Sequence, residues 1–90
     1  MAKVCKKVTY SGRVQGVGFR YTARQIAAGF EVAGYVRNQS NGDVELVAEG
    51  EQDAVARFLD AVADRMREYI HNAAVSDETA CGHGPFVIRH

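Results

Sequence analysis

Apolar and polar residues alternate from Lys3 to Arg13, with Val4, Lys6, Val8 and Tyr10 on one parity and Cys5, Lys7, Thr9 and Ser11 on the other. A period of two predicts a strand. From Phe19 the period changes. Phe19, Ala23, Ile26, Ala27 and Phe30 fall at i, i+4, i+7, i+8 and i+11, one stripe of a helix expected to end near Phe30 or Glu31. Gly29 sits in its last turn and costs up to ~1 kcal/mol relative to alanine, so that turn is expected to fray. Val32 to Gln39 reads as a second strand, and Ser40-Asn41-Gly42-Asp43 as a hairpin turn, because Asn and Gly tolerate positive φ. Val44 to Glu49 returns as a third strand. There Val44, Leu46 and Ala48 alternate with Glu45, Val47 and Glu49, which predicts one buried and one wet face.

Gly50, Glu51 and Asp53 mark the start of a second helix, with negative charge where the helix dipole favours it. Its apolar stripe is Val55, Phe58, Leu59, Val62 and Met66, with Arg57, Asp60 and Asp64 on the solvent side. Tyr69 to Ser76 is a weaker strand interrupted by His71 and Asn72, Glu78 to Pro85 a loop, and Phe86 to Arg89 a short closing strand. The order is β-α-β-β-α-β plus a short C-terminal strand. It predicts an α+β, ferredoxin-like sandwich: two helices on one face of a mostly antiparallel sheet, in a single domain spanning residues 1–90.

Ninety residues suffice to bury roughly 60–65% of the unfolded chain's surface without disulfides. No apolar run approaches the ~18 residues of a membrane span, and Met1 to Lys7 lacks the apolar core of a signal peptide. A cytoplasmic monomer that touches no membrane is expected. Cys5 and Cys81 are too few for a disulfide framework and neither sits in C-x-x-C. Two reduced cysteines are the expectation, with a single bridge between them as the alternative. Formal net charge is zero, but residues 1–37 hold seven basic side chains against Glu31 alone, while residues 38–90 hold ten acidic against four basic. A locally positive segment on a neutral protein favours a small anion over nucleic acid.

That positive segment contains Gly12 to Arg20, G-R-V-Q-G-V-G-F-R, between the first strand and the first helix. Gly12, Gly16 and Gly18 allow positive φ and close approach of a ligand. Successive N–H groups turned inward ahead of a helix N-terminus make an anion-binding concavity, and Arg20 adds a planar fork of donors. A phosphate-sized cradle is one reading; a glycine-rich turn with a surface arginine is the other. Topology adds a second residue. A right-handed crossover makes the first two strands parallel, so their C-terminal ends share one edge of the sheet, where ligands collect. Arg20 and Asn38 should then face one cleft although 18 positions separate them.

G-R-V-Q-G-V-G-F-R, followed by G-Y-V-R-N and N-G-D-V-E, resembles the acylphosphatase family. The resemblance is dense from Gly12 to Gly50 and thins after Met66. It implies hydrolysis of the carboxyl-phosphate anhydride of acyl phosphates to carboxylate and inorganic phosphate. It assigns phosphate binding to Arg20 and to the backbone N–H groups of Gln15, Gly16, Val17, Gly18, Phe19 and Arg20, and orientation of the attacking water to Asn38. It also implies a small-molecule acyl phosphate as partner, with no metal and no organic cofactor. Glu31 departs from the family, where glycine or asparagine is common; if Glu31 adopted positive φ, the cost would be on the order of 1 kcal/mol.

Other residues carry blander readings. His71, His83 and His90 with Cys81 fit no zinc spacing and read as exposed histidines. Arg37 points away from Asn38 by alternation and reads as a surface charge. Phe19 and Tyr21 read as core and cleft lining, and Gln15 as an exposed loop residue with a possible contact to the acyl group. Gly-x-Gly-x-x-Gly fails at Tyr21, and no Gly-Lys-Ser/Thr is present for a P-loop. Among users of the same fold, RNA-recognition domains need aromatics where the third strand reads V-E-L-V-A-E, and copper carriers need C-x-x-C where Gln15 to Arg20 stands. A phosphate-binding module without activity, and the N-terminal module of hydrogenase-maturation carbamoyltransferases, keep the motif. The single predicted domain favours the freestanding hydrolase.

Overall fold

The computed structural model describes residues 3–79 and 82–90, in the order β1 (Lys3–Gly12), α1 (Phe19–Ala27), β2 (Val32–Asn38), β3 (Val44–Glu51), α2 (Gln52–Arg65), β4 (Ile70–Glu78) and β5 (Val87–Arg89). The five strands form one sheet, β4-β1-β3-β2-β5, in which only the β2–β5 pairing is parallel. One parity of the central strands (Val8, Tyr10, Val36, Val44, Leu46, Ala48) meets Phe19, Ala23 and Ala27 of α1 and Val55, Phe58, Val62 and Met66 of α2 in one core. Burying a large apolar side chain of this kind contributes about 1.5–3 kcal/mol. Phe58 anchors the centre, with Phe30 and Phe86 at 6.1 and 5.3 Å between ring centroids. The two stripes predicted from period 3.6 are therefore the two faces that close the sandwich.

Helix α1 stops at Ala27, earlier than the expected Phe30 or Glu31. Past that point the N–H groups of Gly29 and Phe30 donate to Ile26 and Ala27, each at 3.0 Å, tightening the chain into i→i−3 bonds. Gly29 weakens the helix there, and Phe30 gains its contact with Phe58 by leaving it. Glu31 carries no strain, because no described residue other than glycine has positive φ. Strand β4 runs two residues past the expected Ser76, since its ladder with β1 continues to Cys5 opposite Glu78. Cys81, the other half of the alternative bridge, lies outside the described residues; Cys5 is buried on β1.

The expected wet face of β3 is a correction. Glu45, Val47 and Glu49 are 3%, 3% and 8% exposed. Strand β3 lies between β1 and β2, so long side chains from both neighbours close over it. Glu45 accepts hydrogen bonds from Tyr35 Oη and Arg37 Nε at 2.8 Å and from Gln39 Nε2 at 3.1 Å, with Lys7 Nζ at 3.7 Å. Arg37 does point away from the core as predicted, and there it pairs with this carboxylate. Burial pushes the Glu45 carboxyl up, but the hydrogen bonds from Arg37 and Tyr35 and the charges of Arg37 and Lys7 outweigh it and hold the pKa below the ordinary glutamate range.

A folded-state pKa below the unfolded one, ~4.3, contributes stability that is complete above the unfolded value. It is lost as pH falls through the folded value. Thermal melts of wild type and Glu45→Gln should therefore differ most near neutral pH, and the gap should shrink as pH falls below the unfolded value. A gap in melting temperature that stays constant from pH 7 to pH 3 would show that the Glu45 charge contributes nothing to the network.

Candidate active site

Val14 and Phe19, 0% and 2% exposed, fix the two ends of the loop that follows β1. Phe19 opens α1, and its ring packs 4.9 Å from that of Tyr10 near the end of β1. Between these anchors Gly16 and Gly18 hold left-handed φ of 79° and 77°. A Cβ at either would meet nothing within 4 Å, so it is the turn itself, not crowding, that requires glycine. Gly18 is the N-cap of α1, and its carbonyl accepts the Thr22 N–H at 3.0 Å. Among the described residues, the backbone N–H groups from Gln15 to Tyr21 donate to no protein carbonyl. A run of uncommitted donors at the positive end of a helix is suited to receive an anion.

Topology delivers the second half of the site. Tyr10 of β1 and Asn38 of β2 stand opposite the same residue, Val44, from the two sides of β3. Strands β1 and β2 are therefore parallel and end level, as the right-handed crossover predicts. A cleft of about 170 Å³ opens at this edge, lined by Val14, Gly16, Gly18, Phe19, Arg20, Tyr21 and Asn38. It brings together Arg20 and Asn38. Tyr21 lines the mouth and is 63% exposed, whereas Phe19 is core as well as lining.

Two predicted loop residues turn their side chains away from the cleft. Val17 is half-buried and packs against the core. The Gln15 side chain turns to the β2–β3 hairpin, where Nε2 donates to the carbonyls of Gln39 and Asp43 at 2.8 and 2.9 Å. Its carboxamide is committed there and not to an acyl group. One residue was missed. Because β5 runs parallel to β2, with Arg89 opposite Arg37, His90 ends at the same edge and its Nδ1 lies 3.4 Å from Arg20 Nη1. His90 is exposed, as expected of it, but not incidental. His71 is exposed, and His83 meets the Tyr35 ring edge-on at 5.9 Å. No group of three or more His, Cys, Asp or Glu side chains suited to a metal occurs among the described residues.

A larger concavity of about 690 Å³ opens near Lys3, Phe30 and His83. Glu31, Glu49 and Glu51 line it, so it repels an anion. The sequence model for the acylphosphatase family matches residues 6–88 of the chain. The chain belongs to the acylphosphatase family. It is 40% identical over 81 residues to an acylphosphatase of Methanospirillum hungatei, covering 88% of this chain and 89% of the relative. It is also 40% identical over 85 residues to an acylphosphatase of Thermotoga maritima, covering 93% and 94%. The crystal structure of acylphosphatase from Bacillus subtilis matches with a TM-score of 0.86 at 32% identity, over 97% of this chain and 99% of that one. The activity that goes with the acylphosphatase family is hydrolysis of acyl phosphates, and the fold is its α+β sandwich. No helix among the described residues is long and apolar enough to cross a membrane.

Proposed function

We propose that the cleft between Arg20 and Asn38 is where an acyl phosphate is hydrolysed. The observation that carries this reading is the lining of one cleft of about 170 Å³ by Arg20 and Asn38 together with Gly16 and Gly18. The phosphoryl group sits against the N–H groups of Gln15 to Arg20, and the Arg20 guanidinium holds two of its oxygens. Asn38 orients a water in line with the phosphorus–carboxylate bond. As the water oxygen bonds to phosphorus, that bond breaks and its electron pair leaves on the carboxylate. The water proton passes to a phosphoryl oxygen, giving carboxylate and inorganic phosphate. A carboxylate leaves without protonation, so the step asks for positioning and charge stabilisation more than for a general acid. The chemistry of this step calls for no metal and no organic cofactor.

All of these groups belong to one chain, and we take the working unit to be a single-domain monomer acting on multiply charged substrates in the cytoplasm. Phosphate release from benzoyl phosphate or acetyl phosphate, in the presence of chelator, tests the reading. Turnover is expected, and apparent KM should rise with ionic strength because the attraction is between charges that salt screens. Protein that binds phosphate but releases none from any acyl phosphate would overturn it.

A further inference from the structure

We propose that Gln15 is a positioning residue: its side chain sets the distance between the phosphate cradle and the water held by Asn38. The inference rests on the roles given above to the cradle and Asn38. Gln15 lies inside the loop that binds phosphate, yet both hydrogens of its carboxamide are spent on the hairpin that carries Asn38. Nε2 donates to the Gln39 carbonyl at 2.8 Å and to the Asp43 carbonyl at 2.9 Å. These two residues are the base of the turn, where the Gln39 N–H donates to the Asp43 carbonyl at 2.8 Å and Gly42 N–H to the Gln39 carbonyl at 3.2 Å. The clamp therefore grips the residue directly after Asn38.

Gln39 is held from its other end too. Its side chain donates to Glu45 Oε1 at 3.1 Å, and Glu45 is buried in the sheet. The path runs from cradle loop through Gln15 to the Gln39 backbone, and from the Gln39 side chain into β3. Among the described residues, no other hydrogen bond joins the loop to the hairpin. In-line attack needs the water and the phosphorus held to a fraction of an ångström, and such alignment is what a donor bridging the two elements supplies. The arrangement separates binding from alignment: removing the bridge leaves Arg20 and the cradle's N–H groups where they bind phosphate.

Gln15→Met keeps the length of the side chain and removes both donors. With benzoyl phosphate as substrate, kcat is expected to fall on the order of 10- to 100-fold, the scale of a displacement of about 1 Å. The inhibition constant of inorganic phosphate should stay within about twofold, as for a uniform-binding term left intact. In an Asn38→Ala background, Gln15→Met should lower the residual rate no further, because residues acting through one another are non-additive. If Gln15→Met fails to fold, Gln15→Asn is read in its place: its amide stops one methylene short, and kcat should fall with phosphate inhibition unchanged. Folded variants with wild-type kcat would overturn the proposal, as would a loss of phosphate affinity that accounts for the whole loss of rate. Full kcat in Asn38→Ala alone would instead overturn the role given to Asn38, so the two failures are distinguishable.

Discussion

Asn38→Ala should abolish most turnover while leaving phosphate binding in place, and Arg20→Ala should lose both. The two residues line the same cleft but are asked to do different work. Asn38 ends β2 and, in the proposed reaction, acts through a water, an interaction realised only as attack begins. Its loss should therefore appear in kcat, on the order of 10²-fold or more. In the same proposed reaction Arg20 meets the phosphoryl oxygens in ground and transition state alike. A hydrogen bond to a charged partner contributes about 1.5–3 kcal/mol, so losing the fork should weaken inhibition by inorganic phosphate roughly 10- to 150-fold. The loss in kcat/KM should be larger still, because charge on the equatorial oxygens shifts during transfer. Arg20→Lys should fall between, keeping the charge without the planar fork. Steady-state phosphate release with benzoyl phosphate, with inorganic phosphate as product inhibitor, reads all three variants. An Asn38→Ala enzyme with wild-type kcat would remove Asn38 from the chemistry.

The turn that carries the proposed cradle was legible because its signals are local. Glycines at 16 and 18 between a period-two and a period-3.6 segment dictate a left-handed turn into a helix, and both do hold positive φ. Asn38 was legible through one non-local rule, the handedness of the crossover, which fixes two strands as parallel before any contact is known. What escaped depends on register. Alternation alone puts Glu45 on a wet face; only the pairing of β3 with both β1 and β2 sets Thr9 and Arg37 opposite Glu45 and closes that face over. The clue was present in the sequence, since Lys7, Arg37 and Glu45 share a parity that no neutral solvent face requires. His90 escaped for the same reason. A three-residue strand carries no signal of which edge it joins, and its parallel pairing with β2 is what brings His90 to Arg20. The end of α1 was a contest between a continuing apolar stripe and Gly29, and Phe30 reached the core without remaining helical.

Gly34→Ala should be the most destabilising single methyl in the protein. Gly34 lies inside β2, where the sequence shows only a glycine among strand formers, yet its φ is 136°. A Cβ built there would stand 1.9 Å from the Val47 carbonyl oxygen, 2.8 Å from its carbon and 3.3 Å from the Ala48 Cα. All three are backbone atoms of β3. That strand cannot retreat, because β1 holds it from the other side along the register Lys3–Tyr10. Gly34 is itself held, its N–H donating to the Gly84 carbonyl at 3.2 Å. The unfavourable φ and the forced overpacking each cost about 1–3 kcal/mol. Together, about 2–6 kcal/mol, they reach the lower end of the stability of a small domain, about 5–15 kcal/mol. At about 4–8 °C per kcal/mol for this size, the melting temperature should fall by roughly 10–50 °C. Gly42→Ala is the control: Gly42 also has positive φ, 97°, but a Cβ there meets nothing within 4 Å. Its cost should be the conformational part alone, about 1–2 kcal/mol. The difference between the two melts isolates the close approach of β2 to β3. Equal shifts would mean that φ, and not the Val47 carbonyl, is what demands glycine at position 34.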